Sequence, residues 1–196
     1  MLRDILLWPH PLLKQNAPPV AQVDDAVRAL VADLFETMYA AEGVGLAATQ
    51  VGAMQRVLVL DTTSRQPELR PLAMVNPVIV SAEGEMVYAE GCLSLPGEVE
   101  DVARAAVVTV RYLDERGCTQ TLRCEGLLSI AVQHELDHLD GIVFVDHLSV
   151  LKRELIRRRM KRLQAESEPR RAPRPPPRRA ARGSPPRTPS RPRRRR

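Results

Sequence analysis

Two histidines four residues apart, inside a stretch of helical period, restrict the possible folds of this chain more than any other feature. From 127 to 139 the apolar residues recur at helical spacing, with Leu128, Ala131, Val132 and Leu139 on different faces, and Gly141 supplies a natural C-terminal stop. Within that run stands His134-Glu135-Leu136-Asp137-His138. Residues four apart on a helix lie one above the other, about 5 to 6 Å apart at Cβ. Two imidazoles so placed can grip one cation, because metal–nitrogen bonds of about 2.0 to 2.1 Å fit without bending the helix. Glu135 sits beside the first of them, within reach of a water held there. The competing explanation is a solvated or core histidine pair beside a chance glutamate, and the spacing favours the metal site.

The rest of the sequence organises itself around that helix. Pro9, Pro11, Pro18 and Pro19 keep the first twenty residues extended. A first helix then starts at a cap on Asp24 or Asp25, carries Val27, Leu30, Val31, Leu34 and Met38 at helical spacing, and ends at Gly43. Strands are expected over 56–60, 72–80, 85–89, 104–113 and 118–124, with Asp114-Glu115-Arg116-Gly117 as a hairpin connection. The predicted class is α+β, with mostly antiparallel sheets packed around the central histidine-bearing helix and a helix at either end. Residues 1–148 form the expected catalytic domain. A basic helix over 149–168 follows, with an apolar stripe of Leu151, Leu155, Ile156, Met160 and Leu163, and then a disordered tail over 169–196.

Composition supports a globular body with a separate basic end. Apolar residues make up 44% of the chain and aromatics only 3%, so aliphatic side chains must fill the core. The formal charge of +5 averages two regions of opposite sign: the tail holds twelve Arg, nine Pro and no acid, which leaves residues 1–168 at +5 − 12 = −7. No run of about 18 apolar residues exists to span a membrane, and no secretory segment is seen. Three cysteines without CxxC spacing suit a reducing compartment, so a cytoplasmic protein is expected.

Two imidazoles do not complete a site. The metzincin extension HExxHxxGxxH is matched at Gly141 but fails at Phe144, and His147 lies three residues too late. His10, between two prolines, reads as an ordinary histidine, as does His147. Cys92 has the most suggestive setting for a third ligand: it lies in Glu90-Gly91-Cys92-Leu93-Ser94, a loop-like stretch before Pro96. Cys118 and Cys124, at an even spacing in a strand, are expected to pack as small apolar groups on one side of a sheet. The segment Gly43-Val44-Gly45-Leu46-Ala47-Ala48-Thr49-Gln50 follows a helix and lacks the dinucleotide fingerprint; its small residues beside Gln50 suit a wall against which substrate backbone can come close.

Taken together, 43–50, 90–94 and Gln133-His134-Glu135-Leu136-Asp137-His138-Leu139-Asp140-Gly141 resemble the signature of the bacterial peptide deformylases. The resemblance covers roughly residues 1–165 and implies metal-dependent removal of the formyl group from the initiator methionine of nascent polypeptides, with release of formate. It implies Cys92, His134 and His138 as metal ligands and Glu135 as general acid/base, with Gln50 and the Leu93 backbone N–H holding the formyl oxygen. It implies Val44, Leu127 and Ile130 around the methionine side chain, with Gly45 on the same wall. The implied metal is Fe²⁺, which Zn²⁺, Ni²⁺ or Co²⁺ can replace, in a monomer that docks on the ribosome through its C-terminal helix. Two features depart from the family: the acidic stretch Gly97-Glu98-Val99-Glu100-Asp101 and the Arg/Pro tail. Arg104 is expected to pair with Glu90 or Asp137 and so to orient the elements that carry the ligands.

Two other classes compete. A zinc peptidase of the HExxH type needs a third His or Glu ligand, which the sequence does not offer; a non-catalytic ribosome- or RNA-binding protein on the same scaffold would not need Cys92, Gln50 and Glu135 intact. The helix over 149–165 carries seven basic residues able to meet RNA phosphates, whereas the tail is a compositional signal only. Truncation after Glu168 is therefore expected to leave ribosome co-sedimentation, followed against salt concentration, unaltered.

Overall fold

A computed structural model describes residues 1–167, so the tail over 169–196 lies outside the described residues. Helix α1 spans Asp25–Ala40 and is capped by Asp24, whose side chain accepts the Val27 N–H at 2.9 Å. Its end differs from expectation: Glu42, not Gly43, takes the left-handed conformation (φ 56°), and the Gly43 N–H returns to the Met38 carbonyl. Strands β1 (Gly45–Ala47), β2 (Val57–Leu60), β3 (Leu72–Glu83), β6 (Val107–Leu113) and β7 (Thr119–Glu125) form one sheet in the order β1-β2-β3-β6-β7, every pair antiparallel. The connection at 114–117 is the expected turn, closed by the Gly117 N–H on the Asp114 carbonyl.

This sheet is covered on both faces, and β2 shows why the sequence there has no polar member. Val57 and Val59 pack with Leu30, Leu34 and Met38 of α1, whereas Leu58 and Leu60 pack with Leu128, Val132 and Leu139 of helix α2 (Gly126–Leu139) on the other side. Strand alternation thus sends successive apolar side chains into two separate cores.

A second sheet holds only β4 (Met86–Cys92) and β5 (Leu95–Arg104). The stretch after Pro96, where no strand is expected before residue 104, is strand: Val99 to Arg104 pairs with Gly91 to Met86 in antiparallel register. Its polar sequence suits an element that is half exposed, and so hid the strand from a hydrophobic pattern. Helix α3 (Val150–Ser167) closes the fold over β5. Only Ile156 and Met160 of its expected stripe are buried, in a third core with Trp8, Leu95 and Phe144; Leu151, Leu155 and Leu163 are exposed. Cys124 is buried, but Cys118 precedes β7 at the hairpin and is exposed, so the expected common packing holds for one cysteine only.

Gly141 ends α2 as expected (φ 72°), with its N–H on the His138 carbonyl and that of Ile142 on the Asp137 carbonyl. A Cβ at 141 would stand 2.7 Å from the Lys14 carbonyl carbon, where backbone must shift. Gly141→Ala is therefore expected to lower stability by about 2 kcal/mol or more, the left-handed cost and the contact acting together, as measured by the urea midpoint at unchanged slope.

Candidate active site and metal centre

Helical geometry brings His134 and His138 onto one face of α2, with ring centroids 5.0 Å apart and planes at 78°. The end of β4 brings Cys92 against them, so the cysteine is the last residue of a strand and not part of a loop. Its Sγ lies 3.1 Å from His138 Nε2, and one donor atom from each of the three residues falls within 4.8 Å of the others. Among the described residues no other group of His, Cys, Asp or Glu converges in this way. The donor set fits a divalent transition metal: one thiolate and two imidazoles on a protein wall that is buried at both histidines.

The neighbours fix which ring atoms face inward. His134 Nδ1 is 2.8 Å from Glu90 Oε2, leaving Nε2 for a ligand. Glu90 is held in turn by Arg104, Nε to Oε1 at 2.7 Å and Nη2 to Oε2 at 3.0 Å, while Arg104 Nη1 reaches Asp137 Oδ2 at 2.5 Å. Arg104 thus pairs with both expected partners and joins β5, β4 and α2. Burial would raise the Glu90 carboxyl, but Arg104 and His134 hold it below its usual range. Burial opposes a charge on His134, yet the hydrogen bonds to Cys92 and Glu90 outweigh it and raise that ring well above its ordinary value. The same anionic field that favours an added proton there favours a metal cation. Burial, reinforced by His134 and Arg104, keeps His138 well below its ordinary value and so neutral.

Glu135 is buried beside the ligands, and burial pushes its carboxyl up to about 7. Its Oε2 has no hydrogen-bond partner. The side chain lies against Gly45, where a Cβ would come within 2.5 Å of Oε1; this is the close approach that the glycine-rich segment permits. Gln50 has a defined orientation: its Oε1 accepts the Ala47 N–H at 2.8 Å, which turns Nε2 toward Ser94 Oγ (3.2 Å) and Cys92 Sγ (3.6 Å). Leu93 occupies the turn between β4 and β5, beside Gly43.

A cavity of about 420 Å³ opens above these groups, and Val44, Gly45, Leu127, Cys92, His134 and Glu135 are among its lining residues. Ile130 is buried and is not on the wall; its neighbour Ala131 takes that place. The alternation of a helix explains the difference, since 127, 131, 134 and 135 share a face that 130 only borders. His10 caps a short 3₁₀ turn through Nδ1, and exposed His147 bonds Asp137, so neither joins the ligands. Sequence reasoning missed Ser94, Tyr88 and Arg65. Tyr88 and Glu90 were accessible from strand alternation with Cys92, but Arg65 comes from a loop whose position no pattern reveals.

Three donor side chains that could hold a cation, with a buried carboxyl beside them at the floor of a cavity, are the arrangement that a metal-dependent hydrolase needs. The sequence pattern of the Polypeptide deformylase family matches residues 2–154. The chain is 52% identical over 160 residues to the peptide deformylase of Alkalilimnicola ehrlichii, covering 82% of this chain and 89% of that one. It is 52% identical over 163 residues to that of Neisseria meningitidis, covering 83% and 96%. The crystal structure of a peptide deformylase from Legionella pneumophila superposes with a TM-score of 0.78 at 45% identity, covering 84% and 98%. The chain belongs to the polypeptide deformylase family, and it is a hydrolase.

Removing the Arg104 guanidinium would leave Glu90 buried without its cation. Arg104→Ala is expected to cost about 3 to 5 kcal/mol in stability and to weaken metal retention by about tenfold to a hundredfold, read by chelator competition; Arg104→Lys should recover only part of both, since it cannot form the fork.

Proposed function

We infer that this chain hydrolyses the N-formyl amide of the initiator methionine of nascent polypeptides, releasing formate and a free amine, and that Cys92, His134 and His138 hold the divalent ion on which the reaction depends. The observation that carries the assignment of residues is the convergence of those three side chains beside the buried Glu135 carboxyl, whose Oε2 has no hydrogen-bond partner. Fe²⁺ is the proposed ion; Zn²⁺, Ni²⁺ or Co²⁺ would satisfy the same thiolate and imidazole donors. Bound there, it supplies Lewis acidity, making water a nucleophile near neutral pH and polarising the formyl carbonyl.

The protein groups do the rest. Glu135 accepts a proton from the attacking water and delivers one to the departing amine nitrogen as the carbon–nitrogen bond breaks; a carboxyl raised to about 7 suits both directions of transfer. Gln50 Nε2, oriented by Ala47, and the Leu93 N–H would donate to the oxygen that gains charge, each contributing about 3 kcal/mol when fixed in advance. Val44, Gly45 and Leu127 would receive the methionine side chain.

The proposed setting is the cytoplasm, with the protein as a monomer. Among the described residues no helix is long and apolar enough to cross a membrane. Ribosomal RNA is a proposed partner of α3, on a smaller surface than the sequence suggests. Of its seven basic residues, Lys152, Arg153, Arg158 and Arg159 pair with acids of this chain, which leaves Arg157, Lys161 and Arg162 for phosphates.

Anaerobic purification with metal analysis and a formate assay on formyl-Met-Ala-Ser tests the reading. The parent should bind metal, release formate, and lose activity on chelation and regain it with Fe²⁺. Glu135→Gln should keep the metal and lose activity by about a hundredfold or more. Cleavage inside the peptide would indicate a peptidase instead, and neither product would indicate a binding protein.

A further inference from the structure

The cavity has Cys92, His134 and Glu135 at its floor, and its lip carries charge that the reaction itself does not use. Arg65, from the loop between β2 and β3, lines the wall together with Tyr88 of β4. The Arg65 Nη1 donates to Tyr88 Oη at 2.8 Å, which is the only side-chain bond it makes among the described residues. The two arginines on the wall of a second cavity have carboxylate partners: Arg56 pairs with Asp140, and Arg104 with Glu90 and Asp137. Arg65 is therefore held in place by a neutral phenol, with most of its donors and its full charge still available.

Its position follows from the strand. Tyr88 and Glu90 point to the same face of β4, two residues apart, and Glu90 touches His134. Two residues of strand span about 6.8 Å, so Tyr88, which holds Arg65, stands one same-face step along β4 from Glu90. An extended substrate with its formyl group at the floor would carry its second or third residue past this part of the wall. The other lip charges do not cancel Arg65: Glu98 is bound by Arg159 at 2.5 Å, and Glu42, which also lines the cavity, makes no ion pair with it.

We propose that Arg65, steadied by Tyr88, is a specificity-determining residue that selects formylated chains carrying an acidic side chain in the two positions after the methionine. The inference rests on the deformylase activity above. Its test uses formyl peptides with amidated C-termini, so that the side chain is the only source of negative charge: Glu against Lys at position two (formyl-Met-Glu-Ser and formyl-Met-Lys-Ser) and at position three (formyl-Met-Ala-Glu and formyl-Met-Ala-Lys). The full chain should favour Glu by about fivefold in kcat/KM at one position at least, through KM and less so as salt rises. Arg65→Glu should reverse the ratio, Arg65→Gln bring it near one, and Tyr88→Phe shrink it. Each ratio is taken within one variant, so a general loss of activity does not affect it. A ratio near one in the parent, a preference for Lys, or a ratio that survives Arg65→Glu would overturn the proposal. Release of formate from none of the four peptides would overturn the activity on which it rests.

Discussion

One buried guanidinium determines where the ligands meet. The β4-β5 sheet makes no backbone ladder with the five-stranded sheet, so hydrogen-bonded strands do not set the position of Cys92 relative to α2. Side chains set it: Glu90 on β4 bonds His134 on α2, and Arg104 on β5 bonds both Glu90 and Asp137 of α2. Burying a charged pair costs desolvation that only good geometry offsets. Here the guanidinium meets two carboxylates, and the fork to Glu90 also fixes the tautomer and angle of His134. The third core, with Trp8, Leu95 and Phe144, adds the non-directional part of the same attachment.

A second set of charges explains two oddities of the sequence together. The acidic stretch of β5 and the basic helix α3 each look unusual alone, yet Glu98 meets Arg159 and Glu100 meets Lys152. These exposed pairs contribute little individually. Their value is register: they hold α3 along the strand that walls the cavity, above the two apolar contacts of Ile156 and Met160. A count of basic residues therefore overstated what α3 offers to a polyanion.

How much was legible in the sequence follows from which interactions have a period. The caps at Asp24 and Gly141, the apolar face of α1 and the doubly buried β2 were readable because helix and strand repeat every 3.6 and 2 residues. The placing of His134 and His138 on one face of α2 was readable for the same reason. Cys92 was proposed beside them from its Gly-containing setting and from the resemblance, because its meeting with α2 is a long-range event that no local spacing encodes. Strand β5 was missed since its half-exposed, acidic sequence has no hydrophobic alternation, and Ile130 was expected at the pocket from the resemblance alone, whereas Ala131 is the residue that lines the cavity. The Arg104 pairing was expected with Glu90 or Asp137, as a support for the elements carrying the histidines and Cys92, and both pairs form.

The split origin of the donor atoms gives any ion held between them a second role. One sulfur comes from the small sheet and two nitrogens from the helix under the large one, so a bound cation would add a further link between parts that share no strand pairing and meet through side-chain hydrogen bonds, ion pairs and packing. Like any ligand that binds only the folded form, it shifts the folding equilibrium toward that form. Such an ion would thus also be a fastener of the fold.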